Sequence, residues 1–164
     1  MEIMNIIGID LGTATTGWGV LCGNNGKWGV KDYGAILTSK DKPLSERLAE
    51  IFSELQKLLQ HWQIEELALE EVFFNTNGKT AMKISQAQGV VKLAAVLLKI
   101  PVFEYTPLQV KVAVTGYGRA EKRQVGLMVK KLLKLKEVPK PDDTADALAV
   151  ALCHTSSRKV KIRL

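Results

Sequence analysis

Four carboxylates set inside or against apolar runs constrain this chain more than any other feature of it. Asp10 falls in Ile7-Gly8-Ile9-Asp10-Leu11-Gly12, Glu70 in Leu67-Ala68-Leu69-Glu70-Glu71-Val72-Phe73, and Asp143 and Asp146 in Asp142-Asp143-Thr144-Ala145-Asp146-Ala147-Leu148. If these runs are neighbouring core elements, their carboxylates converge, and converging half-buried anions are tolerable only with cations beside them. The expected fold therefore draws three distant segments together around hard cations, the arrangement used in magnesium-dependent phosphodiester chemistry.

The 164 residues suit one domain with an ordinary apolar core, expected to span 1–164 with a short basic tail at about 157–164. Cys22 and Cys153 have no C-x-x-C spacing, which argues against a zinc site or a disulfide framework and fits a reduced compartment. No apolar stretch reaches the length of a membrane span, and the first residues, with Glu2 and Asp10, do not read as a signal segment. A soluble, cytoplasmic protein is expected. The net charge of +6 is uneven, since residues 119–164 hold 12 Lys/Arg against 5 Asp/Glu and residues 1–118 hold 11 against 12. A basic surface beside an acid cluster suits an enzyme that binds a polyanion; a solvated lysine-rich helix is the plain alternative.

Three strand-like runs open the chain, at Ile6–Asp10, Gly17–Leu21 and Trp28–Leu37, with close turns that predict an antiparallel meander. Leu44, Leu48, Ile51, Leu55, Leu59 and Trp62 recur at helical spacing behind Pro43. A strand over Leu67–Phe74, a helix from Thr80 to Lys99, a strand at Val102–Tyr105 and a short helix from Pro107 to Gly116 follow. Helices at Glu121–Leu135 and Thr144–Ser156 complete an α/β pattern, a mixed sheet of meander plus parallel strands flanked by helices. On it Asp10 ends the first strand, Glu70 lies in a later one, and Asp143 and Asp146 share one face at the start of the last helix. Either aspartate of that pair, alone, reads as a cap or first-turn acid. Asp10 and Glu70, embedded in hydrophobic strands, have no such plain role.

Gly8-Ile9-Asp10, Leu69-Glu70-Glu71-Val72-Phe73, Gln86-Ala87-Gln88-Gly89, Pro101-Val102-Phe103-Glu104-Tyr105, Gln109-Val110-Lys111, the stretch from Gly116 to Val125, and Asp143-Thr144-Ala145-Asp146-Ala147-Leu148-Ala149 together resemble the RuvC family of bacterial crossover junction endodeoxyribonucleases. The likeness runs in order through nearly the whole chain. It implies a ribonuclease H-like fold, a homodimer that resolves Holliday junctions by paired nicks, and metal binding and catalysis by Asp10, Glu70, Asp143 and Asp146. The metal expected is Mg2+, two ions per site, with Mn2+ able to substitute, and the partners implied are four-way junction DNA and the RuvA and RuvB branch-migration proteins. Two positions depart from the family pattern: Leu11 stands where proline usually follows the first aspartate, and Asp142 adds an acid, for which an N-cap role is natural.

The resemblance also favours Phe73 for stacking on an unpaired base at the junction, with packing as the alternative for it and for Phe74. Lys111 and Lys122 match basic positions near the family's active site, and Lys122 and Arg123 belong to the DNA-binding excess of charge. The helix Ala81–Leu98, apolar on more than one face, is the expected dimer surface. His61 and His154 read as structural. Two rivals remain in the sequence: the actin-like ATPases share Gly8-Ile9-Asp10-Leu11-Gly12-Thr13 but need two lobes, and a non-catalytic structure-selective DNA-binding module leaves the acids unexplained. A related ribonuclease H-like nuclease acting on other nucleic acids would share the same acids.

Overall fold

The computed structural model describes residues 2–12, 14–72 and 78–161. β1 (Met4–Leu11), β2 (Thr15–Asn24) and β3 (Lys27–Leu37) form the antiparallel meander, and β4 (Glu66–Glu70) and β5 (Val102–Tyr105) extend it in parallel, in the order β3-β2-β1-β4-β5. This is the mixed sheet expected from the sequence. Its helices are α1 (Leu44–His61), α2 (Gly78–Leu97), α3 (Pro107–Thr115), α4 (Lys122–Leu132) and α5 (Asp142–Lys161).

Strand periodicity sorts the residues of the sheet onto its two faces. Ile7, Ile9, Trp18, Val20, Leu67 and Leu69 point to one side, where Ile51, Leu55 and Leu59 of α1 and Ala87, Val91, Ala94 and Ala95 of α2 cover them. Ile6, Leu21, Ala68 and Tyr105 point to the other, against α3, α4 and α5. The second face also carries Gly8 and Gly19, which pair with each other, and Gly17, which pairs with Asp10. A Cβ at Gly8 would collide with the Ala147 carbonyl oxygen, one at Gly17 with that of Asp143, and one at Gly19 with the Leu148 side chain. The backbone of α5 therefore lies down on a glycine trough in β1 and β2. It can do so only because those side chains are missing.

Element ends follow local chemistry. Thr106 caps α3 through its side chain, which accepts from Gln109 N at 3.1 Å, while Pro107 supplies the first helical residue and Gly116, at φ 76°, ends the helix. The strand expected over Leu67–Phe74 pairs only as far as Glu70, which stands opposite Tyr105, the last residue of β5, and the last two residues of that expectation, Phe73 and Phe74, lie outside the described residues. α5 begins earlier than expected, at Asp142. Asp142 is thus a first-turn acid inside the helix, not its N-cap: the Pro141 carbonyl, just before it, accepts the bond from Thr144 N. No helix among the described residues is long and apolar enough to cross a membrane.

Candidate active site

Asp10 near the end of β1 and Glu70 at the end of β4 reach the same edge of the sheet because those strands run parallel in adjacent positions. Both belong to the α5-facing set, Asp10 with Ile6 and Gly8, Glu70 with Glu66 and Ala68. α5 then brings its first turns over them. Carboxylate oxygens of Asp10, Asp143 and Asp146 lie within 4.8 Å of one another. Glu70 lines two adjoining clefts, one with Asp10 and the other with Asp146, Lys111 and Lys122. The four acids picked from the sequence are therefore neighbours in space, although they come from positions spread across the chain.

Proximity has an electrostatic cost. Burial, and then the charges of Asp146, Glu70 and Asp143, raise the Asp10 carboxyl from 3.8 to about 8. Glu70 is raised by burial and by Asp146, with Lys111 and Lys122 pulling the other way. Asp146 is also raised, by burial first, against a hydrogen bond from Lys122. Lys122 Nζ lies 3.0 Å from Asp146 Oδ2 and 3.9 Å from Asp142 Oδ2. Burial disfavours the charge on Lys122, but Asp146 outweighs it and the ammonium is held more firmly charged than usual. Two lysines, Lys111 and Lys122, cannot neutralise four acids. The residual repulsion at Asp10 is what a divalent cation with oxygen ligands would remove.

Of the basic residues singled out in the sequence, Lys111 on α3 and Lys122 on α4 line the cleft with Glu70 and Asp146. Arg123, the next residue on α4, is exposed and is not among the residues lining that cleft. Phe73 and Phe74 lie outside the described residues. His61 is exposed, and His154 is fully buried far along α5 from the acids.

Two supports of the site had no reading in the sequence. Gln88 of α2, buried, donates from Nε2 to the Glu70 carbonyl oxygen at 3.0 Å and so fixes the end of β4 from the opposite face. The glycine trough is the other. Its signal, three glycines at alternate positions in consecutive strands, is visible only once the pairing of Gly8 with Gly19 is known.

A family model described as crossover junction endodeoxyribonuclease RuvC matches residues 6–154. A crossover junction endodeoxyribonuclease RuvC of Alkaliphilus metalliredigens is 53% identical over 154 residues, covering 94% of each chain, and one of Clostridioides difficile is 49% identical over 158, covering 96% of this chain and 94% of the relative. The structure of Thermus thermophilus RuvC in complex with a Holliday junction substrate superposes with a TM-score of 0.90 at 37% identity, covering 96% of both chains. The yeast mitochondrial Holliday junction resolvase Ydc2 shares the fold, with a TM-score of 0.64 at 14% identity over 97% of this chain and 84% of its own. With family model, sequence relatives and superposition all spanning nearly the whole chain, this protein belongs to the RuvC family of crossover junction endodeoxyribonucleases.

Proposed function

We propose that this chain resolves Holliday junctions by paired symmetric nicks during recombination and DNA repair, using a divalent-metal centre built from Asp10, Glu70, Asp143 and Asp146. The observation that carries the reading is the gathering of Asp10, Asp143 and Asp146 within 4.8 Å of one another, with Glu70 across the same cleft, in a chain of this family. Glu70 belongs with the three because it lines one cleft with Asp10 and the adjoining cleft with Asp146.

An all-oxygen donor set suits a hard cation, so Mg2+ is the metal we assign, with Mn2+ able to substitute and four carboxylates enough to share two ions. Divalent cations held by Asp10, Glu70, Asp143 and Asp146 would supply positive charge to activate a water and to stabilise the departing 3′ oxygen of a phosphodiester. The protein's own part is to hold the carboxylates on two rigid strands and a helix, so that they do not reorganise during the reaction. Lys111 and Lys122, at the wall of the cleft, are placed to hold the scissile phosphate and to offset charge that builds on it. Arg123 and the lysines of α4 extend that positive surface along the DNA backbone. Phe73 is the candidate for stacking on an unpaired base at the junction centre.

One acid centre cuts one strand, so symmetric resolution requires two chains, and we assign a homodimer. α2 fits that role. It buries Ala87, Val91, Ala94 and Ala95 against the core while Met82, Leu93, Val96 and Leu97 stay exposed. Cooperation with the RuvA and RuvB branch-migration proteins accords with membership of the family, and a cytoplasmic location accords with the reduced cysteines Cys22 and Cys153. The deciding experiment offers the protein a synthetic four-way junction, a linear duplex and an RNA/DNA hybrid, each with and without Mg2+. Mg2+-dependent paired nicks in the junction alone are expected. Binding without nicking would reduce the chain to a DNA-binding module, and hybrid cleavage without junction cleavage would make it a ribonuclease.

A further inference from the structure

Behind the acid cluster, at the other end of β4, lies a second polar group that the chemistry above does not use. His154 of α5 is fully buried. Its Nε2 is 2.7 Å from Glu66 Oε2, its Nδ1 is 2.6 Å from the Tyr105 hydroxyl, and the Phe103 ring packs on it at 4.6 Å between centroids. Arg158, one turn further along α5, donates to Glu66 twice, from Nε to Oε2 at 2.9 Å and from Nη2 to Oε1 at 2.7 Å. These bonds hold Glu66 charged, for although burial raises it, Arg158 and His154 together lower it to about 2. A charged carboxylate only accepts, so Nε2 donates to Glu66, while Nδ1 is hydrogen-bonded to the tyrosine hydroxyl. Each ring nitrogen is satisfied by a different strand.

We propose that His154, with Glu66, Tyr105 and Arg158, is the positioning device of the acid cluster: it sets where along the sheet α5 stops, and thereby where Asp143 and Asp146 stand against Asp10 and Glu70. This inference rests on the four-acid reading. Its ground is a matched pair of rods. Glu66 and Glu70 are four residues apart on one face of β4, a span of about 13 Å, and Asp146 and His154 are eight residues apart on α5, a span of about 12 Å. β4 and α5 run in opposite directions, so the two ends of one rod meet the two ends of the other. Between the ends the contact over β1 and β4 is made of Gly8 and Ala68 on the sheet and Ala147 and Ala151 on the helix, with the Leu148 side chain seated beside them at Gly19 of β2. Small residues allow close approach but specify axial position poorly, and a single apolar leucine contact adds little resistance to a small slide. The polar group supplies what they lack, since a hydrogen bond degrades within a few tenths of an ångström whereas an Ala–Gly contact slides. Tyr105 ties the two ends directly: its backbone pairs with Glu70, its carbonyl accepts from Glu71 N at 2.8 Å, and its hydroxyl ends on His154.

The test uses the full chain with His154→Leu, which keeps bulk and removes both bonds, and Tyr105→Phe, which removes one hydroxyl and is the milder change should the first fail to fold. Binding of Mn2+ alone, followed by electron paramagnetic resonance well below the melting temperature, and the single-turnover nicking rate at saturating junction are measured together. Supporting groups of metal centres change affinity or activity by about 10- to 100-fold, so His154→Leu is expected to lose at least about tenfold in both, Tyr105→Phe a smaller share of the same two quantities, and junction binding little. A folded His154→Leu with wild-type Mn2+ affinity and nicking rate, or, where that variant does not fold, a Tyr105→Phe with both unchanged, overturns the assignment even if the melting temperature falls. Asp146→Asn separates the two readings. If it too binds Mn2+ as wild type does, the four-acid centre fails, whereas if it alone loses the metal, only the positioning role fails.

Discussion

Gly17 pairs with Asp10 across the β1–β2 ladder, and the space where its side chain would stand is filled by the backbone of Asp143. One acid is thereby set directly over the neighbour of another. Gly17→Ala must push the first turn of α5 off the sheet, because the added carbon meets backbone and not a flexible side chain. The expected loss is about 1–3 kcal/mol of stability from overpacking, together with most of the nicking activity. Gly29→Ala, on a strand with open space around it, should change neither. Thermal melting and junction cleavage on both variants check this.

Asp10→Asn, Glu70→Gln, Asp143→Asn and Asp146→Asn should each remove most Mg2+-dependent nicking while leaving junction binding nearly intact, because phosphate contacts come mainly from other surfaces. Glu71→Gln and Asp142→Asn should be mild, both residues being exposed. Gel-shift and nicking assays run on the same preparations separate the two effects. Wild-type cleavage by Glu70→Gln would displace that residue from the centre.

Without metal, stability should fall as pH rises from about 4 to 8. Asp10 moves from 3.8 to about 8 on folding, so across that window the folded protein keeps a proton that the unfolded chain has released, and raising the pH favours unfolding. Mg2+ should flatten this slope, and Asp10→Asn should remove its contribution. Melting temperatures across the window, with and without metal, provide the measurement.

The opposite sign applies at the other end of β4. Glu66 falls from 4.5 to about 2 on folding, so its stabilisation is fully present above pH 4.5 and is lost as pH drops towards 2. Glu66→Gln should lower stability at neutral pH and lessen the acid loss. Acid titration followed by circular dichroism tests this arm separately from that of Asp10.

Replacing Lys122, Arg123, Lys130 and Lys131 together by alanine should weaken junction binding and flatten its salt dependence, by about 0.9 in the logarithmic slope for each phosphate no longer neutralised. Lys122→Ala alone should also slow nicking at saturating DNA, as a residue that only binds the backbone would not. An unchanged slope would leave the α4 cations as merely solvated.

Asp10 and Glu70 are legible in the sequence because each is a carboxylate inside an apolar run, and a strand reading fixes where such a run ends up. Asp143 and Asp146 are legible from helical spacing. Asp142 passes for a cap because it is the extra acid ahead of a helix expected from Thr144, whereas the helix already begins at Asp142. Glu66 and His154 carry their meaning only together, and 88 residues separate them. Beside Glu65, Glu66 carries no signal of its own in the sequence. The glycines of β1 and β2 suggest turns or bulges when read singly; their common purpose depends on a helix more than a hundred residues later.

Lys122 belongs to α4, an element that contributes none of the four carboxylates. At the proposed centre the carboxylates and the lysine bonded to one of them therefore sit on separate pieces of the chain. A shift of α4 by one side-chain length would alter the net charge that an incoming ion meets without disturbing the frame of strands and helix that holds the acids. At the centre proposed above, variation confined to α4 should therefore retune the ion requirement while the frame of the acids stays the same.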